Sequence, residues 1–198
     1  MAKVGMKYPV YAPIEAEIPG QPITYGEGFF IAEAISADIN LERADARLYG
    51  DDALQDRDNS VIGGTETLNV TRLPLAIKQK MLGLEHDEET DEYSENGQAS
   101  PYGGHGYISV FREQGETKYE GIWIHKVQFS ENNISDQTKG QQLEFNTPTI
   151  EGEIMGVRID DSGKTRFYKK KPFTNEKAAL DWLKGLANIT ATQAVADQ

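Results

Sequence analysis

The chain of 198 residues contains no cysteine, which excludes disulfide bridges, zinc–thiolate sites and thiol nucleophiles. It also has no apolar run that approaches the roughly 20 residues of a membrane-spanning helix. Its first residues, MAKVGMKYP, lack the apolar segment of a signal peptide. We therefore expect no membrane segment, and a protein that is cytoplasmic where it is made.

Basic residues are scarce as well. The chain has 20 Lys and Arg against 32 Asp and Glu, a formal net charge of −12. Because nucleic-acid readers neutralise phosphates with Lys and Arg, this balance argues against such a reader. It is compatible with a surface that DNA passes without being held, since like charges repel. We interpret the one basic cluster, Lys169–Lys171, as a solvated strand end or as a partner for a neighbour's acidic loop.

Motifs for catalysis and metal binding are missing too. His86, His105 and His125 lack metal-ligand spacing. We interpret His125 as a core or interface residue; weak metal binding at His86 and His105, which flank an acidic segment, is the lesser alternative. The chain has no GxSxG, phosphate-binding or dinucleotide-binding motif, and chance pairs are expected among so many carboxylates. We predict no enzymatic activity, no cofactor and no metal.

The centre of the chain predicts a β-hairpin. Val, Ile, Phe, Tyr and Trp are dense from Gly106 to Phe129, on both sides of a turn at residues 114–116. In the second strand we expect two apolar faces, with Ile122 and Ile124 on one and a larger set on the other: Tyr119, Trp123, Val127 and Phe129. A strand that is apolar on both faces is covered on both sides, by its own domain or by another copy.

Further elements follow from hydrophobic periodicity and caps. We predict strands at 29–42, 65–73, 143–149, 153–160 and 165–169, and helices at 74–83 and 175–187. Residues 165–169 are expected to pair back across the turn at 161–164. Two segments are predicted as long exposed loops, at 44–64 and 84–105. The second contains seven acidic residues and no Lys or Arg.

These elements predict a mainly β fold. Because the strands do not alternate regularly with helices, a parallel βαβ sheet is disfavoured. We predict an antiparallel β-sandwich or barrel with a flanking helix and a long inter-strand loop. Residues 1–22, with four prolines, are interpreted as an extended N-terminal arm, residues 23–187 as the domain, and residues 188–198 as a flexible tail.

Several segments resemble the major tail protein of long, non-contractile-tailed bacteriophages that infect Gram-positive bacteria. The resemblance covers most of residues 4–187, and the order and spacing of its segments carry it. They are Ala34-Ile-Ser-Ala-Asp-Ile39, Ala46-Arg-Leu-Tyr-Gly-Asp-Asp52, Ile23-Thr-Tyr-Gly26, the strand–helix unit from Leu68 to Gly83, Ile122-Trp-Ile124, and Phe145-Asn-Thr-Pro-Thr-Ile-Glu-Gly152.

The resemblance implies a structural virion protein of the tail-tube type. Such subunits form hexameric rings that stack into a tube around the tape-measure protein, between tail-tip and tail-terminator proteins. One sheet of each subunit joins its neighbours in a large barrel, and the genome leaves through that channel. Assembly is then expected in the host cytoplasm, with the protein ending in the phage tail.

The resemblance also assigns expected roles to residues. The 44–64 loop is similar to the arm that reaches the adjacent ring, with Leu48 and Tyr49 as apolar anchors and Asp51 and Asp52 as polar contacts. Residues that face away from the apolar side of the strands are expected to line the channel, where carboxylates repel phosphates: Asp38, Asn40, Glu42, Thr67, Asn69 and Thr71.

Two other classes of function stay open at this point. One is a β-sandwich module that binds carbohydrate or a cell surface, for which exposed aromatic residues would be needed; Tyr93, Tyr102 and Tyr107 are the candidates. The other is a hydrolase with an unrecognised carboxylate site. Glycan binding by the isolated monomer would support the first class, and turnover of a substrate would support the second.

Overall fold

The computed structural model describes residues 2–131, 147–160 and 162–190, which contain thirteen strands and two helices. The predicted strand at 143–149 and the tail lie largely outside these ranges. The elements are β1 Ala2–Ala16, β2 Thr24–Tyr25, β3 Phe29–Phe30, β4 Ala34–Arg43, β5 Ala46–Gly50, β6 Ala53–Asp58, β7 Val61–Val70, α1 Leu75–Leu82, β8 Glu85–Asp87, β9 Glu92–Ser94, β10 Tyr102–Glu113, β11 Glu116–Ser130, β12 Thr149–Ile154, β13 Tyr168–Phe173 and α2 Glu176–Leu186.

One sheet of nine strands organises the molecule. Its order is β2-β1-β10-β11-β12-β7-β4, with β3 added to β1 and β13 to β11. Every pairing is antiparallel. Strand β11 pairs with β10 along one edge, and its other edge is shared between β13, at residues 119–124, and β12, at residues 127–130. Strand β11 is therefore the centre of the fold.

The predicted central hairpin is confirmed. Gln114 and Gly115 connect β10 and β11 with φ angles of 51° and 88°. Two consecutive left-handed residues form the two-residue turn whose twist matches that of the flanking strands. The dense β-branched and aromatic residues and the glycine of this turn therefore determine the local fold.

The predicted faces of β11 are wrong beyond Ile124. The pairing of β10 with β11 shifts between Gly103 and His105, whose partners are Val127 and Ile124. This β-bulge adds a residue to β11, which exchanges the two faces of the strand. Val127 therefore packs in the same apolar cluster as Ile124, and Trp123 packs in a second cluster.

The apolar cluster that contains Ile124 and Val127, which we call cluster 1, shows that the sheet curls on itself. Tyr11 of β1 and Leu68 of β7 both belong to it, although β10, β11 and β12 separate their strands in the sheet. Strands far apart in a sheet share a core only when the sheet closes around that core. The fold is thus mainly β, with antiparallel sheets and two helices, as predicted, and it is consistent with a β-sandwich.

The second apolar cluster, which contains Trp123 and which we call cluster 2, lies on the other face of β10 and β11, beneath α2. Trp123 and Ile108 pack there against Ala179 and Leu183 of the helix. Asn175 caps the helix, since its side chain accepts a hydrogen bond from the backbone N–H of Lys177 at 2.8 Å. The flanking helix is confirmed.

Helix α1 is confirmed as well. Pro74 stands immediately before the helix, and Gly83 ends it with a φ of 82°. A left-handed glycine at this position is a common helix stop because it has no Cβ. Met81 and Leu82 of this helix are buried in cluster 1.

Four sequence-based expectations need correction. Residues 29–42 form β3 and β4 instead of one strand, and both predicted loops contain β-hairpins, β5–β6 and β8–β9. Strand β13 pairs with β11, and residues 153–160 meet the segment before β13 at a Val157–Arg166 bridge and an Asp160–Arg166 ion pair. Residues 2–16 are extended, as expected of an arm, but they form β1 inside the sheet, where Val10 and Tyr11 are fully buried. Pairing with a distant strand decides the position of β1 and β13, and local patterns do not report it.

Candidate assembly surfaces

Residues 44–60 form a projecting hairpin, built from β5 and β6, in which every residue whose exposure is described is exposed except the half-buried Ala44. Asp51 and Asp52 make its turn with φ angles of 49° and 59°. The same left-handed turn is usually encoded by Asn-Gly or Asp-Gly, so the pair Asp-Asp gave little sign of it. The predicted loop is an ordered arm.

The projecting hairpin presents apolar side chains to solvent. Leu48 and Tyr49 are each 62% exposed and Leu54 is 52% exposed. Tyr49 stands opposite Leu54 across the two strands, so their side chains lie on one face. None of the three belongs to either apolar cluster. A grouped exposed apolar surface of this kind marks an interaction site.

Ion pairs order the base of the projecting hairpin. The Asp45 carboxylate binds Arg47 Nη2 at 2.9 Å and Arg57 Nε at 3.0 Å. The hydrogen bond from Arg47, aided by the charge of Arg57, lowers the pKa of Asp45. The backbone N–H of Ala44 donates to the carbonyl of Ser60 at 2.8 Å. The arm is thus held at its base while its apolar side chains stay uncovered.

A polar face lies on the outside of β4, β7 and β12. Its cross-strand rows are Asp38–Thr67–Glu151 and Asn40–Thr65–Glu153, with Ser36–Asn69–Thr149 beside them. Residues directly opposite each other in antiparallel strands share one face. The structure therefore brings together five of the six residues predicted to face a channel: Asp38, Asn40, Glu42, Thr67 and Asn69.

Thr71 is the sixth residue, and it lies beyond the end of β7. Its hydroxyl donates to the Glu33 carboxylate at 2.7 Å. Among the five residues on the polar face, the three of β4 are exposed, and Thr67 and Asn69 of β7 are half-buried.

Sequence analysis missed the contribution of β12 to the polar face. Glu151 and Glu153 are exposed, while Ile150, Gly152 and Ile154 between and beside them are buried. This strict alternation is a visible strand signal. It was lost because the predicted strand boundaries divided the segment at residues 149 and 153.

A buried polar pair was missed as well. Glu66 and His105 are both fully buried, and Glu66 Oε2 lies 3.0 Å from His105 Nδ1. Within the described residues, Glu66 Oε1 and His105 Nε2 have no hydrogen-bond partner. The pair connects β7 to β10 across the interior. Glu66 lies two residues before Leu68 and four before Val70, on the same inward face of β7. This alternation is the sequence signal that predicts its burial.

The other candidate residues are dispersed. His86 Nε2 lies 2.9 Å from Asp91 Oδ1 and its ring stacks on Tyr93. Tyr102 is 42% exposed, whereas Tyr107 is buried. In the described ranges, no group of three or more His, Cys, Asp or Glu is placed to hold a metal ion. Nor does any helix in those ranges have the length and apolarity needed to cross a bilayer.

A pocket of about 330 Å³ opens beside the C-terminal end of α2. We call it the α2 pocket; its walls include Pro22, Ile23, His125, Ile159, Lys169 and Leu186. Burial lowers the pKa of Lys169. Burial, with the charges of Lys169 and Arg166, lowers the pKa of His125 to about 4. His125 is therefore a buried neutral residue at neutral pH, as the sequence interpretation expected of a core or interface histidine.

Because of His125, the free energy of unfolding is expected to decrease when the pH is lowered. Its pKa is about 4 in the folded state and about 6.5 in an unfolded chain. The unfolded state binds more protons between these values, so the free energy of unfolding decreases as pH falls from 6.5 towards 4, by about 2–3 kcal/mol. Urea denaturation at a series of pH values measures this loss. In the His125→Gln variant the slope of stability against pH over this interval should decrease, and an unchanged slope would contradict the assignment.

Comparison with known proteins gives no assignment: no protein-family model matches the chain, and no curated protein matches it at a significant level.

Proposed function

We propose that this protein is a self-assembling structural subunit of a long, non-contractile phage tail tube. The projecting hairpin is the observation that carries the proposal. It includes the Ala46–Asp52 segment of the family resemblance, and its apolar side chains contribute nothing to the core of their own subunit. An ordered arm with an uncovered apolar surface is suited to a contact with another copy.

The edges of the sheet support lateral association. Strand β13 carries Lys169, Lys170, Lys171 and Pro172, residues that protect an edge from pairing with another sheet. Strand β4 ends the sheet within the described residues, is ten residues long, and contains neither Lys nor Pro. We therefore assign β4 as the strand through which neighbouring subunits in a ring join their sheets.

The polar face is suited to the wall of a DNA channel. Its rows on β4, β7 and β12 include the carboxylates of Asp38, Glu151 and Glu153, and Glu42 extends them along β4. Carboxylates repel phosphates and so leave DNA unbound. In this arrangement the subunits form stacked hexameric rings around the tape-measure protein, with tail-tip and tail-terminator proteins at the ends of the tube.

Reversing charge on the polar face should slow DNA passage. In phage that carry Glu151→Lys with Glu153→Lys, tubes should form normally, because both side chains are exposed and β12 lies inside the sheet, away from the β4 edge. DNA ejection should be slower, because lysines in the channel bind phosphates, and the slowing should weaken as salt increases. Ejection kinetics measure the effect. The matched control is Glu88→Lys with Glu89→Lys, outside the polar face. Equal ejection rates for the two variants would contradict the assignment of the polar face to the channel wall.

The proposal itself is tested by electron microscopy of the purified protein over a range of concentrations. Rings with a central hole, or tubes with a regular axial repeat, are expected.

A further inference from the structure

The α2 pocket contains a cation, Lys169, that has no carboxylate partner among the described residues. In the part of the chain that the structure describes, no carboxylate lies within ion-pair distance of Lys169, whose Nζ is 5.9 Å from the centre of the Trp182 ring. Its neighbour Lys170, on the other face of β13, lies 3.5 Å from Glu120. Lys169 is exposed in the isolated subunit, and a carboxylate of a second copy that covered the pocket would be attracted to its ammonium group.

The charge of the α2 pocket is opposite to that of the projecting hairpin. Among the described residues, Lys169 is the one Lys, Arg, Asp or Glu in the wall of the pocket, in a chain of net charge −12. Residues 44–60 carry five Asp and two Arg, and both arginines bind Asp45. The tip of the projecting hairpin therefore combines the acidic pair Asp51–Asp52 with exposed apolar side chains.

The two surfaces also agree in their apolar parts. Ile23, Ile159 and Leu186 form apolar walls of the α2 pocket, and its volume is at the lower end of the range for sites that hold small ligands. The pocket thus has room for side chains at the tip of a hairpin. A ligand that fits this pocket has an acidic group to pair with Lys169 and an apolar group to contact the walls. The projecting hairpin has both.

We propose that the projecting hairpin of one copy docks in the α2 pocket of a second copy. The carboxylate of Asp51 or Asp52 pairs with Lys169, and Tyr49 and Leu54 cover the apolar walls. Because the two surfaces are formed by different elements, the contact is heterologous and repeats from copy to copy. The inference rests on the proposed self-assembly and specifies which surface of the subunit receives the arm.

Cysteine cross-linking tests the contact directly, since the chain has no cysteine of its own. Two single variants, Ala53→Cys at the tip of the projecting hairpin and Pro22→Cys at the rim of the α2 pocket, are mixed under oxidising conditions. A disulfide-linked dimer is expected. The matched control pairs Ala53→Cys with Ala178→Cys, which lies in a separate groove beside Phe173, and this pair should stay uncrosslinked.

Lysine substitutions test the charge contact in solution. Lys169→Met should raise the subunit concentration needed for assembly at least roughly 30-fold, measured by light scattering. Lys170→Met, on the opposite face of the same strand, should leave it within about two-fold, as for an exposed pair. Equal effects of the two substitutions would overturn the inference.

The cross-linking outcomes separate this inference from the proposed function. Cross-linking through Ala178, or of neither pair, overturns docking in the α2 pocket. If wild-type rings or tubes are nevertheless seen by microscopy, the proposed function stands and the arm has another acceptor. If microscopy shows neither, even when tail-tip complexes are added as nuclei, both proposals fail.

Discussion

Replacing Tyr49 and Leu54 together with serine is expected to abolish tube formation while leaving the subunit folded. Both side chains are more than half exposed in the isolated subunit and belong to neither apolar cluster. Burial of each at an interface would contribute about 1.5–3 kcal/mol, and each ring would lose that contribution at every subunit. Electron microscopy should show no tubes, and thermal unfolding should match the wild type.

The control for this experiment replaces two apolar side chains of the same exposed fractions elsewhere on the subunit. Val4 is 62% exposed and Leu75 is 52% exposed, the same fractions as Tyr49 and Leu54, and neither lies in the projecting hairpin. The Val4→Ser, Leu75→Ser variant should form normal tubes. Normal tubes from the Tyr49→Ser, Leu54→Ser variant would contradict the role of the projecting hairpin.

Replacing Glu66 alone with leucine is expected to lower the free energy of unfolding by about 2–4 kcal/mol. The change leaves His105 Nδ1 without a partner inside the protein, where both side chains are fully buried. Replacing both residues with leucine should restore most of that loss, because an apolar pair leaves no polar atom unpaired. Each wild-type residue already leaves one atom without a partner in the described chain, Glu66 Oε1 and His105 Nε2.

Urea denaturation of the wild type, the two single leucine variants and the double variant measures this coupling as a double-mutant cycle. A coupling energy of at least about 1 kcal/mol is expected for residues in direct contact. Additive effects of the two substitutions would show that the pair does not act as a unit.

Local signals accounted for the elements that local chemistry determines. The glycine of the Gln114–Gly115 turn, the Gly83 helix stop and the Asn175 cap are each encoded within a few residues, and the hairpin and the two helices that they delimit are confirmed. The curled sheet depends on pairings between distant segments, such as β1 with β10 and β13 with β11. No periodicity within one segment reports which distant strand it joins.

The candidate surfaces were predictable to different degrees. The polar face followed from alternation in β4 and β7, and only the boundaries of β12 hid Glu151 and Glu153 from it. The bulge that separates Trp123 from Val127 has no such signal, because one extra residue exchanges the faces without changing composition. The α2 pocket was hidden for another reason: its residues come from five separate segments of the chain.

Electron microscopy of the purified wild-type protein, beside light scattering over a range of concentrations, tests the central claim most directly. We expect rings with a central hole that stack into tubes with a regular axial repeat, and scattering that rises with concentration. A protein that remains a monomer at every concentration, even when tail-tip complexes are added as nuclei, would contradict a tail-tube subunit.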